Sequence, residues 1–402
     1  MSAEAARRRV LPLWATALLP LAALGLMLSL FVFGDPLAAF KANLPPIESL
    51  TVQRVRVTGD GFELTVVNGG PDAVTISQVT VDDAYWTFTA SPSATIPRLG
   101  QAVIRLTYPY VVGEPNTIRL MSSTGLTFDA DVPLAVETPT LDWSQFLRYG
   151  LVGLYVGIVP VALGLLWYPA MRRLGRRGLG VVLALTIGLL VFLLIDTLLE
   201  GLDVAAQLPA VFQGVSLLLF AALLTWLILL AVAGRRGDAP GGAPRGLYLS
   251  GLIALGIGLH NLGEGMAIGA AFALGEAALG SFLVLGFTLH NITEGVGIAA
   301  PLTSVEAGEA APRLRSFVGL ALLAGAPAIL GTWIGGFAFS PVLAALFLGI
   351  GAGAIWQVIV EVGRLLQSYA RRDGTSLASW PNVLGFTLGL AIMFVTALLV
   401  KV

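Results

Sequence analysis

Apolar and polar positions follow three different rhythms along the chain. From Val10 to Gly34 the residues are apolar and uncharged, behind a basic flank of Arg7, Arg8 and Arg9. That run is long enough to cross a ~30 Å hydrocarbon core as a helix, and the basic flank predicts a cytoplasmic N-terminus. It exceeds the 7–15 apolar residues usual in a cleaved signal peptide, so an uncleaved signal-anchor is expected over residues 1–44. Residues 45–138 change period. Short runs such as Leu50–Val57, Gly61–Val67, Val74–Val81, Ala102–Tyr108, Asn116–Met121 and Leu126–Val132 are rich in Val, Thr, Ile and Phe. Turn clusters such as Gly59-Asp60-Gly61 and Asn68-Gly69-Gly70-Pro71 separate them. Six or seven short strands at that spacing predict an extracytoplasmic β-sandwich of immunoglobulin-like size. From residue 146 to 402 the chain is almost continuously apolar. Its short polar breaks predict eight membrane helices, at 146–170, 179–200, 209–233, 246–274, 278–302, 315–337, 341–367 and 382–401.

Composition supports that division. Of 402 residues, 56% are hydrophobic and 12% charged, against about 25% charged in a soluble protein. The net charge of -1 gives no basic surface for nucleic acid. With no cysteine, disulfides, thiolate metal sites and cysteine nucleophiles are excluded. Charge also orients the spans. Alternate loops hold Arg172, Arg173, Arg176 and Arg177; Arg235, Arg236 and Arg245; Arg313 and Arg315; and Arg371 and Arg372. The intervening connections, Gly201–Leu208, Gly275–Gly280 and Ser340–Pro341, carry no Lys or Arg. By the positive-inside rule the basic loops face the cytoplasm, while the β domain and the C-terminus face outward. The expected location is the plasma or inner membrane. Loop 234–245, rich in Gly and Pro, reads as a linker.

The two histidines of the chain occupy one slot of a repeat. Leu259-His260-Asn261-Leu262-Gly263-Glu264-Gly265 recurs thirty residues on as Leu289-His290-Asn291-Ile292-Thr293-Glu294-Gly295. Positions i and i+4 share a helix face, so His260 points with Glu264 and His290 with Glu294, each beside an asparagine. Two such helices present imidazoles, carboxylates and amide oxygens, a set suited to Zn2+ and other first-row divalent ions. All four ionisable groups lie mid-span, where a charge costs several kcal/mol unless it is paired, binds an ion or meets water. Hydrogen bonds between membrane helices average about 0.6 kcal/mol, and stitching alone does not call for four such groups at matched depth.

The paired motifs resemble the His-Asn-x-Pro-Glu-Gly signature in the fourth and fifth of eight helices of the ZIP (Zrt/Irt-like) metal transporters, prokaryotic branch. The resemblance covers residues 146–402 and leaves out the anchor and the β domain. It implies import of a divalent ion, Zn2+ foremost and also Fe2+, Mn2+ or Cd2+, with no organic cofactor, and it is compatible with a homodimer. By motif, His260, Glu264, His290 and Glu294 would hold one ion, and Asn261, Glu264, Asn291 and Glu294 would contribute to a second. The chain departs from the family in three places. Gly263 and Thr293 stand where the family has proline, and Ala328 stands where the sixth helix often supplies Glu.

Further polar residues lie within the spans. Asp196 and Glu200, also i and i+4, read as an entrance or as hydrated interfacial acids. Glu361 reads as an ion pair with Arg364 or as an exit group. Gln213, Ser216 and Gln357 are candidate supporting groups. Asp82, Asp83, Asp129 and Asp131 of the β domain read as solvated strand residues, and the domain's own ligand stays open. Two alternatives to a transporter are an intramembrane zinc-dependent hydrolase, for which the usual His-Glu-x-x-His is absent, and a surface-binding protein with a degenerate membrane domain.

Overall fold

The computed structural model describes the helix Leu13–Gly34 and residues 47–138, 140, 142–234, 245–274, 276–304 and 312–400. Arg7, Arg8, Arg9, Arg235, Arg236 and most of the 234–245 linker lie outside the described residues. The chain divides into two units, Met1–Ile47 and Glu48–Val402. In the first, α1 (Leu13–Gly34) is apolar on every side.

The second unit begins with antiparallel sheets. Among the described residues there are nine strands: β1 Leu50–Thr58, β2 Gly61–Asn68, β3 Val74–Val81, β4 Ala84–Trp86, β5 Phe88–Ser91, β6 Thr95–Ile96, β7 Gln101–Thr107, β8 Asn116–Ser122 and β9 Thr127–Val132. One sheet has the order β1-β2-β7-β5; the other runs β4-β3-β8-β9, with β6 also paired to β3. Period-2 alternation sends Phe62, Leu64 and Ile104 from the first and Ile76, Ile118 and Leu120 from the second into one apolar core. The expected strands recur within a residue or two. The short β4, β5 and β6 were not predicted. They lie in a stretch broken by Asp82 and Asp83, both at positive φ, so no run is long enough to show a period.

Asp82, Asp83, Asp129 and Asp131 of this region are spent within it. The Thr117 N–H and the Asn116 amide each donate to Asp82 at 2.8 Å. The Thr117 bond is the main reason the Asp82 carboxyl is held below its usual range. Arg119 pairs with Asp83 at 2.9 Å and Asp129 at 2.7 Å, and Asp131 accepts from the Thr117 hydroxyl at 3.0 Å.

Among the described residues, eight helical spans are long and apolar enough to cross a membrane: Trp143–Met171, Arg177–Ala206, Ala210–Gly234, Gly246–Ala273, Leu279–Thr303, Leu314–Ala338, Pro341–Arg372 and Trp380–Leu398. They match the hydropathy reading to within a few residues, except where Arg177–Ala206 and Pro341–Arg372 each run several residues further. The first is built of α2 (Trp143–Gly153), a π-helical turn (Leu154–Ile158), α3 (Val159–Leu165) and α4 (Tyr168–Met171). The others contain α5 (Arg176–Ala206), α6 (Gly214–Gly234), α7 (Arg245–Ala273), α8 (Ala277–Ala299), α9 (Leu314–Ala338), α10 (Pro341–Arg372) and α11 (Trp380–Val400).

Packing sorts these helices into two sets. α7 lies against α9, α8 against α3, and α9 against α2; α10 lies against α5 and α6, and α11 against α5. The sets meet where α10 touches α7 and α11 touches α8. Small residues permit the closest approach. A side chain at Gly335 of α9 would run into the Met266 carbonyl of α7. The β region joins the bundle through Arg54, whose guanidinium donates to the Phe337 carbonyl in the last turn of α9 at 3.3 Å. A cation at a helix C-terminus is favourable.

Gly335→Ala is therefore expected to cost about 1–3 kcal/mol through overpacking. Thermal unfolding of the purified protein in detergent checks this. An unchanged melting temperature would show that α7 and α9 are not in backbone contact at this point.

Candidate metal centre

α7 and α8 bring both motifs to one place. His260, Asn261, Glu264, His290, Asn291 and Glu294 are all buried, none more than 7% exposed. The motif glycines allow it. A Cβ at Gly265 would collide with the Ala328 carbonyl of α9, and one at Gly295 with the Val161 carbonyl of α3. Each motif helix is thus pressed against a neighbour at the level of its Glu.

The two carboxylates have opposite surroundings. Glu264 Oε1 is bonded by His260 Nε2 at 3.0 Å and, more closely, by His290 Nε2. The Asn291 amide donates to Glu264 Oε2 at 3.3 Å. Glu294 lies in the same cluster, yet neither of its buried oxygens accepts a hydrogen bond. The amide oxygens of Asn261 and Asn291 are also buried without a partner. Their nitrogens donate to backbone, Asn261 to Ala324 O at 3.1 Å and Asn291 to Val156 O at 3.0 Å. A carbonyl only accepts, so these bonds set each amide with nitrogen on the backbone and oxygen free.

Four unpaired buried oxygens are costly, at ~1–3 kcal/mol for a neutral group and more for a charged one. Water or a cation would relieve that cost. One ligand atom each from His260, His290 and Glu294 lie within 4.8 Å of one another. The donor set of imidazole nitrogen, carboxylate and amide oxygen fits a divalent ion of the zinc type.

The remaining expected residues separate. Asp196 and Glu200 of α5 line a cavity of about 70 Å³ together with His260, Glu264 and His290. Glu361 and Gln357 lie elsewhere, beside Ile253. Glu361 accepts from Arg364 at 2.7 Å and from Gln357 at 3.1 Å, the arrangement of an ion pair. Gln213 and Ser216 are not among the residues lining the metal-centre cavities. Ala328 is fully buried in packing, and a Cβ on Gly157 would come within 2.8 Å of its methyl group. With Ala328 0% exposed, a longer side chain there would have to displace its neighbours. Gly263 borders the cavity, and Thr293 returns its hydroxyl to the His290 carbonyl at 2.5 Å, so both motif helices run unbroken through these positions.

The Val156 and Ala324 carbonyls were not foreseen. Backbone acceptors on other helices leave no mark in residue types, although Pro160 and Pro327 inside apolar runs were a readable sign of irregular backbone. No family model matches the chain, and no curated protein matches it at a significant level.

Titration of purified protein with Zn2+ is expected to show one tight ion per chain. Ala328→Glu is expected to lower the yield of folded protein without adding a second ion. A second tight ion, in either protein, would contradict this geometry.

Proposed function

We propose that the chain carries divalent metal ions, Zn2+ foremost, across a membrane into the cytoplasm, through a centre built from the two His-Asn motifs. The observation that carries this reading is the set of unpaired buried oxygens on Asn261, Asn291 and Glu294 beside two imidazoles. A purely structural polar cluster would pair them, since a half-satisfied network costs more than an apolar one.

The chemistry follows from the hydrogen bonds. Glu264 accepts from both imidazole Nε2 atoms. A metal can take an Nε2 only when that atom carries no proton. Loading therefore shifts each ring to the Nδ1–H form or, where a ring is doubly protonated, expels a proton. Glu264 then turns from hydrogen-bond acceptor to ligand, and Glu294 compensates the remaining charge. In this reading Asp196 and Glu200 attract the ion from outside through the cavity they share with the motif residues, and Glu361 stands on the exit side. The basic loops support the inward direction. In the same reading α1 is an uncleaved signal-anchor and the two β sheets form an extracytoplasmic immunoglobulin-like sandwich. The membrane part belongs with the ZIP transporters by its motifs.

Uptake of Zn2+ into proteoliposomes tests the reading. Glu264→Ala and Glu294→Ala should each abolish uptake, by a hundredfold or more, while the protein still inserts. Wild-type rates in both would remove these residues from the path, and release of a cleaved product without uptake would favour a hydrolase. Deleting residues 45–138, with a short linker in their place, should leave uptake measurable, because Asp82, Asp83, Asp129 and Asp131 of that domain are spent on its own hydrogen bonds. Complete loss from a correctly inserted deletion protein would make the β domain part of the mechanism.

A further inference from the structure

The first membrane span is irregular where it meets the metal centre. Between α2 and α3 the backbone forms the π-helical turn Leu154–Ile158, closed by the Val159 N–H on the Leu154 carbonyl. Pro160 follows directly. In an α-helix the carbonyl of Val156 would accept from the N–H of residue 160. Proline has none. Val156 is 1% exposed, so water does not reach that carbonyl freely, and an orphaned buried carbonyl is costly. The Asn291 amide fills the gap at 3.0 Å. Its nitrogen also reaches Glu264 Oε2 at 3.3 Å. Both amide hydrogens are then engaged, and the oxygen alone is free.

We infer that Pro160 is a positioning residue for Asn291. By withholding an N–H from the Val156 carbonyl, it keeps that carbonyl open for the asparagine nitrogen, and so leaves the asparagine oxygen, rather than its nitrogen, available to a cation. The other motif has a related arrangement. Asn261 donates to Ala324 O, three residues before Pro327 of α9. The carbonyl that Pro327 leaves without its helical donor, Leu323, faces Gly258 of α7. The motif helices hold Gly263 and Thr293 in the slots where the resembled family has proline. Here the proline that frees an asparagine's acceptor, Pro160, stands on the facing helix.

This inference rests on the metal reading, but its test uses binding rather than transport. Zn2+ affinity of the purified full-length protein is measured by competition with a chelating dye. Pro160→Ala restores the N–H, which competes for the Val156 carbonyl and frees the amide to rotate. Affinity should fall about two- to tenfold, the worth of one net hydrogen bond. In an Asn291→Ala background the same substitution should change nothing further. Pro160→Gly also restores the N–H and should reproduce both results should the alanine variant fail to fold. Unchanged affinity in the Pro160 variants, or an equal fall in both backgrounds, would overturn the positioning role. A wild-type chain that binds neither Zn2+ nor Cd2+ would overturn the metal reading and this inference with it. Binding without transport would remove only the transport function.

Discussion

The arrangement of the bundle depends on one constraint: charged and polar side chains midway along apolar helices must find partners among protein atoms. Glu264 meets it fully, with two imidazoles and an amide on its oxygens. Glu294 meets it less well: neither oxygen is hydrogen-bonded, although an imidazole nitrogen of each histidine lies within 4.8 Å of its carboxylate. Under the proposed function, that asymmetry leaves Glu294 and the asparagine oxygens as the acceptors open to a cation. The cost of the unpaired oxygens is borne by the packing around them, where glycine at 265 and 295 brings α7 and α8 against their neighbours.

The same contacts join the site to the rest of the fold. Asn261 ties α7 to α9, and Asn291 ties α8 to the first span, each through a backbone carbonyl. The set formed by the first span, α7, α8 and α9 is thus held together by the residues proposed to bind the ion. The cavity shared with Asp196 and Glu200 lies at the border with the second set. Arg54 extends the connection to the β region, since its partner Phe337 belongs to α9.

Much of this was legible from residue order. Helix positions followed from apolar length, because short of a closed barrel only a helix satisfies its own backbone in lipid, and all eight spans of the bundle were found. The main strands followed from alternation; β4 to β6 did not, being too short to carry a period. The motif residues followed from i, i+4 spacing in two matched copies, and the structure brings all six together.

The sequence by itself determined which residues are polar at mid-span and which helix face each occupies, since both depend only on local geometry. Tertiary structure alone decided the rest. It left the Glu294 oxygens without hydrogen bonds while saturating Glu264, filled the space beside Ala328 with the first span, paired Glu361 away from the centre, and set the asparagine amides on backbone carbonyls of other helices. Each of these depends on distances between segments far apart in the chain, and hydrogen-bond partners at that range are chosen by packing rather than by local spacing.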